Sequence, residues 1–278
     1  MKITNKYGLP GAIVEAVKND DYDPGDSDIT VTGLLQPPRL RALYEKHKEE
    51  IVEDASSRIW ALIGQSVHTI LERAEPSAIT EERLYMHMEG WKVGGKFDRM
   101  TLRVKTLQDY KVCSVWEHIY GLKPEKEQQL NLLALLAAHN GYKEISNLEI
   151  VAIFRDWSQA KARYDKKYPQ AQVARVKVKM WPVDRQVAFL RERVMLHQKA
   201  LKELPECSEE DRWATPDKFA IMKKGRKSAI RLYTSMKEAT ANLKQGQYIE
   251  HRKGESKRCA MYCPVKGYCS QFSSLCSE

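Results

Sequence analysis

Two aspartates and a lysine lie close together between Gly94 and Val112, in two segments that have the composition of β-strands. Asp98 falls in the first segment, and Asp109 and Lys111 fall in the second. Because side chains alternate between the faces of a strand, Asp109 and Lys111 share one face and Tyr110 points to the other. If the two segments pair as a hairpin, Asp98 joins that face, and two carboxylates converge with one ammonium group.

This Asp–Asp–Lys trio could do a particular kind of chemistry. Two carboxylates hold Mg²⁺ or Mn²⁺, which prefer hard oxygen ligands, and such an ion turns water into a nucleophile near neutral pH. A lysine beside the ion orients that water or neutralises charge that develops on a phosphate. The spacing Asp-x-Lys alone is common, however, and a surface hairpin with an ordinary ion pair explains it equally well.

The trio also resembles the central motif of the PD-(D/E)XK nuclease superfamily, specifically its RecB-like and lambda-exonuclease-like members. Here Gly95-x-x-Asp98 is followed by Asp-Tyr-Lys at 109–111. Upstream, W-A-L-I-G-Q-S-V-H-T-I-L-E resembles the first motif of that superfamily, a helix with Gly64 and His68. Downstream, Q-Q-L-N-L-L resembles the glutamine motif through Gln129, although Leu133 stands where many members have tyrosine.

The resemblance implies a site and a reaction. One or two Mg²⁺ or Mn²⁺ ions would be held by a histidine, two carboxylates and a backbone carbonyl: His68, Asp98, Asp109 and the carbonyl of Tyr110. Lys111 would orient or help to deprotonate the attacking water, and Gln129 would steady the site. Hydrolysis would break a phosphodiester bond in DNA, with the ion stabilising the developing charge.

Relatives of this kind favour exonuclease action on a DNA end. Compact members without helicase motifs are typical of bacteriophages and prophages, where they serve recombination or DNA processing, so a single-strand annealing or recombination protein is an implied partner. A structure-specific or nicking endonuclease is the alternative enzyme. The alternative from another class is a non-catalytic DNA-binding or scaffold protein, against which the intact Asp–Asp–Lys trio argues.

A run of cysteines near the C-terminus is typical of a metal centre, because thiolates bind zinc or iron–sulfur clusters. Four cysteines follow one another there: Cys259, Cys263, Cys269 and Cys276. The resemblance implies a structural [4Fe–4S] cluster, in which one ligand usually precedes the histidine motif, but this chain has no cysteine before Cys113. Cys276 supplies the fourth ligand, or the site is incomplete, or it binds Zn²⁺ with help from a group such as His251.

The charge of the chain favours a polyanionic partner. The net charge is +9, and the segment from Trp213 to Arg258 holds twelve Lys or Arg against four Asp or Glu, while the remainder is nearly neutral. Such a segment suits sequence-independent binding to the DNA backbone. The candidate phosphate contacts are basic side chains in three places: Arg39 and Arg41 after Pro37-Pro38, Lys177 on a basic strand face, and Lys223, Lys224, Arg226 and Lys227 in a turn. A solvated surface is the alternative for each of them.

The periodicity of the chain predicts helices and strands in alternation, as in an α/β protein, and the resemblance implies a PD-(D/E)XK restriction-endonuclease-like core, a central mixed sheet flanked by helices. Helices are predicted over 57–74 and 124–139, and strands over 84–89, 93–101, 106–112 and 148–155. We expect an N-terminal extension (1–33), the core (34–204), a basic ββα insertion (205–250) and a cysteine-rich tail (251–278). Without a long apolar run or a signal peptide, the expected location is the cytoplasm, that of the host if the protein is phage-encoded.

Overall fold

The computed structural model describes residues 1–19, 23–74 and 77–277, without the side chains of residues 276 and 277. Over these residues the strands are β1 (Lys2–Thr4), β2 (Ile29–Thr30), β3 (Val52–Asp54), β4 (Ile79–Thr80), β5 (Arg83–Met88), β6 (Trp91–Lys96), β7 (Arg99–Thr101), β8 (Thr106–Cys113), β9 (Asn147–Phe154), β10 (Val173–Val178), β11 (Lys218–Lys223), β12 (Arg231–Tyr233) and β13 (Gln247–Arg252). The helices are α1 (Gly11–Lys18), α2 (Val31–Leu34), α3 (Pro38–His47), α4 (Ile59–Glu72), α5 (Val115–Ile119), α6 (Pro124–His139), α7 (Gln159–Tyr164), α8 (Val183–Ala200), α9 (Glu209–Arg212), α10 (Met236–Ala241) and α11 (Ser270–Ser277).

The chain divides into two compact units, Met1–Pro38 with Glu49–Glu203, and Arg39–Lys48 with Leu204–Glu278. The first unit takes in residues 1–33, which were expected to form an extension, because β1 pairs with β3 and β2 pairs with β6. The second unit takes in both the expected insertion and the expected tail. The expected boundary between residues 250 and 251 falls inside β13, which pairs with β11.

The first unit is built on a mixed five-stranded sheet with the strand order β10-β9-β8-β7-β4. β8 and β9 run parallel along their whole length, and the other neighbouring pairs are antiparallel. Its main core contains side chains of these strands together with buried side chains of α6 and α8. The predicted α/β class, with mixed sheets flanked by helices, is therefore confirmed. A second sheet has the order β2-β6-β5.

Helix α6 has the predicted bounds and fills the centre of this core. Pro124 opens it, where a missing N–H costs no helical hydrogen bond, and the run from Leu130 to Ala137 is buried on all sides. Asn131 is fully buried within that run because its polar atoms are satisfied. Its amide nitrogen donates to the carbonyl oxygens of Glu127 and Lys179, each at 3.0 Å, and its Oδ1 accepts from the backbone N–H of Trp181 at 2.7 Å.

The predicted strand over 93–101 is wrong in one respect, since the chain bends in the middle of it. β6 ends at Lys96 and belongs to the second sheet, while β7 starts at Arg99 and belongs to the five-stranded sheet. Phe97, between the two strands, is fully buried in the core, and Asp98 lies at the bend rather than in a strand. The bend therefore sets the position of a carboxylate that the alternation of a continuous strand could not fix.

Helix α4 begins at Ile59, after a 3₁₀ turn over Ala55–Arg58 whose start is capped by the Asp54 carboxylate. Its face around His68 is half-buried, whereas Trp60 near its start is 54% exposed. The guanidinium of Arg155 lies 4.4 Å from the centre of the Trp60 ring. This tryptophan is therefore a surface side chain next to a cation rather than a core residue.

The second unit contains a three-stranded antiparallel sheet with the order β12-β11-β13. The two strands and the helix of the predicted ββα insertion are present as β11, β12 and α10. The third strand, β13, was not predicted, although Q-Y-I-E-H-R contains the alternation of a strand. No helix in the described part of the chain is long and apolar enough to cross a bilayer.

The close packing at Gly95 leads to a first prediction. A Cβ there would lie 2.7 Å from Leu133 Cδ2 and 3.0 Å from both Leu136 and Val31 methyl groups, all in the core. We expect Gly95→Ala to lower the free energy of unfolding by about 1–3 kcal/mol through overpacking, measured by urea denaturation. Gly64→Ala is the control: no atom lies within 4 Å of its added Cβ, and helix propensity should make it neutral or stabilising. Equal stability of Gly95→Ala and wild type would contradict this packing.

Candidate functional site

Three acidic or imidazole side chains converge beside β8. His68 of α4, Glu81 of the turn after β4 and Asp98 of the β6–β7 bend each offer a ligand atom, and these atoms all lie within 4.8 Å of one another. His68 Nδ1 is 3.4 Å from Asp98 Oδ1 and 3.5 Å from Glu81 Oε1. All three residues are half-buried. We call this group the acidic centre.

The backbone of Tyr110 in β8 holds two members of the acidic centre in place. Its N–H donates to Asp98 Oδ2 at 2.6 Å, and its carbonyl oxygen lies 3.2 Å from His68 Nε2. With Nε2–H donating to that carbonyl, Nδ1 is the nitrogen that faces the carboxylates. The carbonyl that was predicted to hold an ion is the hydrogen-bond acceptor for His68 in this structure.

Glu81 is a site residue that the sequence did not reveal. Its backbone has a φ of 52°, in the left-handed region, and its N–H donates to the carbonyl oxygen of Asp98 at 3.2 Å. Its carboxylate also pairs with Lys96. The pairing of β4 with β7 brings Glu81 to the bend, and nothing in the spacing of the sequence marks this two-residue strand. A left-handed non-glycine residue in such a group is the kind of backbone strain found at functional sites.

Asp109 and Lys111 share one face of β8, as predicted. Lys111 Nζ is 2.8 Å from Asp109 Oδ1 and 2.7 Å from Oδ2, and Asp109 is only 2% exposed. Although Oδ2 is that close to the ammonium, it is buried without a hydrogen bond of good geometry. Burial raises the pKa of Asp109, against the opposing effect of the Lys111 charge. Burial acts to lower the pKa of Lys111, but Asp109 and Asp98 outweigh it and raise that pKa.

The charges of the acidic centre are set by its own hydrogen bonds. The hydrogen bond to Asp98, followed by the one to Glu81, raises the pKa of His68 to about 10, against the opposing effect of burial. Burial would raise the pKa of Glu81, but hydrogen bonds from His68 and Lys96 outweigh it and lower that pKa. At neutral pH His68 is therefore an imidazolium between two carboxylates. Both carboxylates are held close together only because positive charge lies between them.

The donor set fits a hard divalent cation. Carboxylate oxygens with one imidazole suit Mn²⁺, and the carboxylates alone suit Mg²⁺. Asp109 Oδ2, buried and without a well-formed hydrogen bond, is an additional oxygen beside Asp98. An ion that bound here would replace the proton on His68 Nδ1, while the Tyr110 carbonyl would continue to orient the ring.

The remaining predicted site residues lie elsewhere. Gln129 is half-buried in α6, and none of the hydrogen bonds found among the described residues joins its amide to the acidic centre. Arg41 is half-buried with a polar partner. The side chains predicted to meet phosphate are solvent-exposed in two places: Lys177 on the edge strand β10, and Lys223, Lys224, Arg226 and Lys227 around Gly225.

Arg39 corrects a prediction, because it is not available to a phosphate. It is 6% exposed, and its guanidinium donates within the second unit. Nε is 3.2 Å from Cys269 Sγ, and the terminal nitrogens donate to Ser270 Oγ at 2.8 Å and to the Pro205 carbonyl oxygen at 3.2 Å. The buried charge is thus satisfied by the cysteine-rich segment rather than by a ligand.

A further thiol, Cys207, which the spacing of the sequence did not indicate, lies near the cysteines of the C-terminal tail. Cys207 interacts electrostatically with Cys259 and Cys269, and Cys263 interacts with the same two thiols. Burial, followed by Asp211 and the neighbouring thiols, raises the pKa of Cys207 to about 12. We call Cys207, Cys259, Cys263 and Cys269 the thiol group. The side chain of Cys276, predicted as the fourth ligand, lies outside the described residues.

Two hydrogen bonds fix Cys207 within the thiol group. Its backbone N–H donates to Gln271 Oε1 at 2.9 Å, and its carbonyl oxygen accepts from Gln271 Nε2 at 3.0 Å. The amide of Gln271, in α11, therefore holds the segment before α9 against the C-terminal helix. No local spacing could have indicated this, because Cys207 stands far from the other three cysteines in the sequence.

Comparisons with known proteins do not assign the chain to a family. No family model and no curated protein matches the chain. Among solved structures, a chain described as "Crystal structure of SSO0001" is similar, with a TM-score of 0.46 and 18% sequence identity over 66% of this chain and 84% of that one. At that TM-score the likeness supports no inference about function.

The raised pKa of His68 gives a second prediction, for protein kept in EDTA. Because the folded pKa lies above the unfolded value of 6.5, the imidazolium stabilises the fold fully below pH 6.5, and this contribution is lost as pH rises towards 10. We expect the free energy of unfolding to fall between pH 6.5 and 10 more steeply in wild type than in His68→Gln, measured by urea denaturation at each pH. His87→Gln, which replaces an exposed histidine, is the control and should retain the wild-type slope. Identical slopes in wild type and His68→Gln would contradict the ion pairing.

Proposed function

We propose that the protein is a metal-dependent DNA nuclease of the PD-(D/E)XK type, acting as an exonuclease on DNA ends. The observation that carries this proposal is the acidic centre itself, which lies beside the Asp109–Lys111 pair on β8, in which Asp109 is buried. A purely structural ion pair does not require two further carboxylates and a histidine around it. Buried, mutually perturbing titratable groups of this kind are concentrated at catalytic sites.

The architecture around the centre supports the same proposal. A bent β6–β7 segment, the strand β8 with Asp109 and Lys111, the helix α6 and the parallel strand β9 follow one another in the order expected of a PD-(D/E)XK core. The α6 connection between parallel strands covers the sheet, so that the titratable side chains of β8 lie in a partly desolvated site. Desolvation strengthens the interaction between these charges.

Each side chain would have a defined role. A bound Mg²⁺ or Mn²⁺ would supply Lewis acidity towards a phosphate and lower the pKa of water. Asp98, Glu81 and His68 Nδ1 would hold it, with Asp109 Oδ2 as an additional donor. Lys111 would orient the attacking water and offset negative charge on the phosphate, as its ammonium already does for Asp109.

The surface charge supports DNA as the substrate. The β11–β12 connection carries exposed side chains of one sign, Lys223, Lys224, Arg226 and Lys227, and Lys177 adds an exposed cation on an edge strand. Cations of this kind bind phosphates without regard to sequence. The preference for DNA ends over internal sites derives from the family resemblance, and a nicking or structure-specific endonuclease is the second enzymatic candidate.

The central test is cleavage of end-labelled linear duplex DNA with Mg²⁺ or Mn²⁺, beside closed-circular DNA. We expect label to be lost from linear DNA only, and Lys111→Ala to reduce the rate by about 10²–10⁴-fold. Lys92→Ala is a matched control, because the Lys92 side chain is about as exposed as that of Lys111. Its ammonium pairs with Asp26, at a distance of 2.7 Å, and takes no part in the acidic centre. Its rate should be that of wild type.

Two outcomes would change the proposal. Cleavage of the circle would establish an endonuclease. A folded protein that binds Mn²⁺ and DNA but cleaves neither substrate would contradict the enzyme and leave a DNA-binding or scaffold protein.

We further propose that the thiol group holds a [4Fe–4S] cluster with Cys207 as the fourth ligand. The ligands of a tetrahedral zinc ion, at ~2.3 Å from the metal, lie ~3.8 Å apart. Among the described residues, no three thiols lie within 4.8 Å of one another, which suits a larger inorganic core better than one ion. Zn²⁺ is the alternative occupant. The role is structural, joining the segment at Cys207 to the C-terminal turns.

Iron content tests this assignment. We expect anaerobically purified wild type to contain about four irons per chain with visible absorbance, and Cys207→Ser to lose most of both because thiolate ligation is incomplete. Cys113→Ser is the control, since Cys113 is a buried thiol of the first unit. Stoichiometric zinc without iron would replace the cluster with a zinc site. Full iron in Cys207→Ser, with loss in Cys276→Ser, would restore the ligand set that the sequence predicted.

A further inference from the structure

Several aromatic side chains are exposed where the parallel strands β8 and β9 end. Trp60 is 54% exposed, Trp116 is 42% exposed and Tyr120 is 81% exposed. Exposed rings of this size are costly to leave in water, and on one region of a surface they usually mark a binding site. We call these three residues the aromatic platform. None of them takes part in the acidic centre.

The rings of the platform are ordered with respect to one another and to cations. Trp116 and Tyr120 are stacked, with ring centroids 5.7 Å apart and an angle of 18° between the planes. The Lys161 ammonium lies 5.0 Å from the centre of the Trp116 ring, as the Arg155 guanidinium lies 4.4 Å from that of Trp60. The platform thus combines flat apolar faces with positive charge.

The backbone fixes the platform to the same strand ends. Arg155 follows β9, and its N–H donates to the carbonyl oxygen of Cys113, the last residue of β8, at 3.0 Å. The carboxylate of Asp156 accepts from the backbone N–H of Val115 and from Ser114 Oγ, each at 2.7 Å, and so caps the start of α5. Trp116 and Tyr120 are therefore held by the turn that follows β8.

The platform is close to the acidic centre along two elements. Trp116 follows the end of β8 at Cys113, which lies three residues, or ~10 Å along the strand, from Tyr110, whose backbone contacts Asp98 and His68. Trp60 is eight residues before His68, which corresponds to ~12 Å along α4. A strand of DNA that passed over the platform would thus have a phosphate within reach of the centre.

We propose that the aromatic platform stacks the unpaired bases of single-stranded DNA that leads to the acidic centre, an inference that rests on the proposed nuclease function for its catalytic consequence. Paired bases inside a duplex are already stacked on one another, so only unpaired bases offer both faces to a ring. Alternating rings and cations are the means by which proteins bind single strands without sequence preference. A protein partner is the less suitable occupant, because cations lie over the rings and the surface is not a continuous apolar one.

Binding in EDTA tests the platform independently of cleavage. The probes are fluorescent oligo(dT), an abasic strand of the same length and charge, and a blunt duplex, with affinity measured by anisotropy. We expect wild type to bind oligo(dT) about 10-fold more tightly than the abasic strand. Trp116→Ala and Trp60→Ala should each lose about 10-fold for oligo(dT) and leave abasic binding unchanged.

Two further variants separate stacking from folding. Trp116→Phe keeps a ring and should retain most of the affinity for oligo(dT). Tyr7→Ala removes another exposed ring, 76% exposed in the first unit, and should bind as wild type does.

Equal affinity for oligo(dT) and the abasic strand would overturn the platform, as would equal losses for both probes in Trp116→Ala. Cleavage without base-dependent binding would overturn it and leave the nuclease. Base-dependent binding without cleavage would support the platform and contradict the nuclease.

Discussion

The hydrogen bonds made by the backbone of Tyr110 are the constraint on which the acidic centre depends. The Tyr110 N–H and carbonyl oxygen, which point to the same edge of β8, are hydrogen-bonded to Asp98 and to His68, which come from different elements. Because a strand in the middle of a sheet has little freedom, both side chains are held by the most rigid part of the first unit. A site arranged in this way has its geometry fixed before any ligand arrives, which is the condition for effective electrostatic stabilisation.

Charge balance explains why so many titratable groups can be half-buried together. Three carboxylates, Glu81, Asp98 and Asp109, face the cations His68, Lys96 and Lys111. Removing one charge leaves the others desolvated and unpaired, which is more costly than the pairing is favourable. If a divalent ion replaced the His68 proton, positive charge would still lie between the carboxylates, and the group would carry one more positive charge than before.

Local pattern sufficed for part of this arrangement. The bounds of α6 and the shared face of Asp109 and Lys111 followed from periodicity, because those elements are long and regular. Glu81 and Cys207 could not be found in that way. Glu81 reaches the centre through a two-residue strand and a left-handed turn, and Cys207 reaches the thiol group through one glutamine side chain of α11. Both placements are decided by tertiary pairing, which leaves no signature in spacing.

The leucine at position 133 is explained by its packing against Gly95. Leu133 stands where the proteins that this sequence motif resembles often have tyrosine, and its methyl group fills the space above Gly95 in which a Cβ would lie. Gly95 in β6 and Leu133 in α6 therefore pack directly against each other. This contact fixes the distance between the helix and the strand that leads to Asp98. Gln129, one turn earlier on α6, remains half-buried and without a hydrogen bond to the described part of the acidic centre. In this chain Leu133 of α6 therefore helps to position Asp98 through packing, while the polar contacts beside Asp98 come from Glu81, which is paired with Lys96.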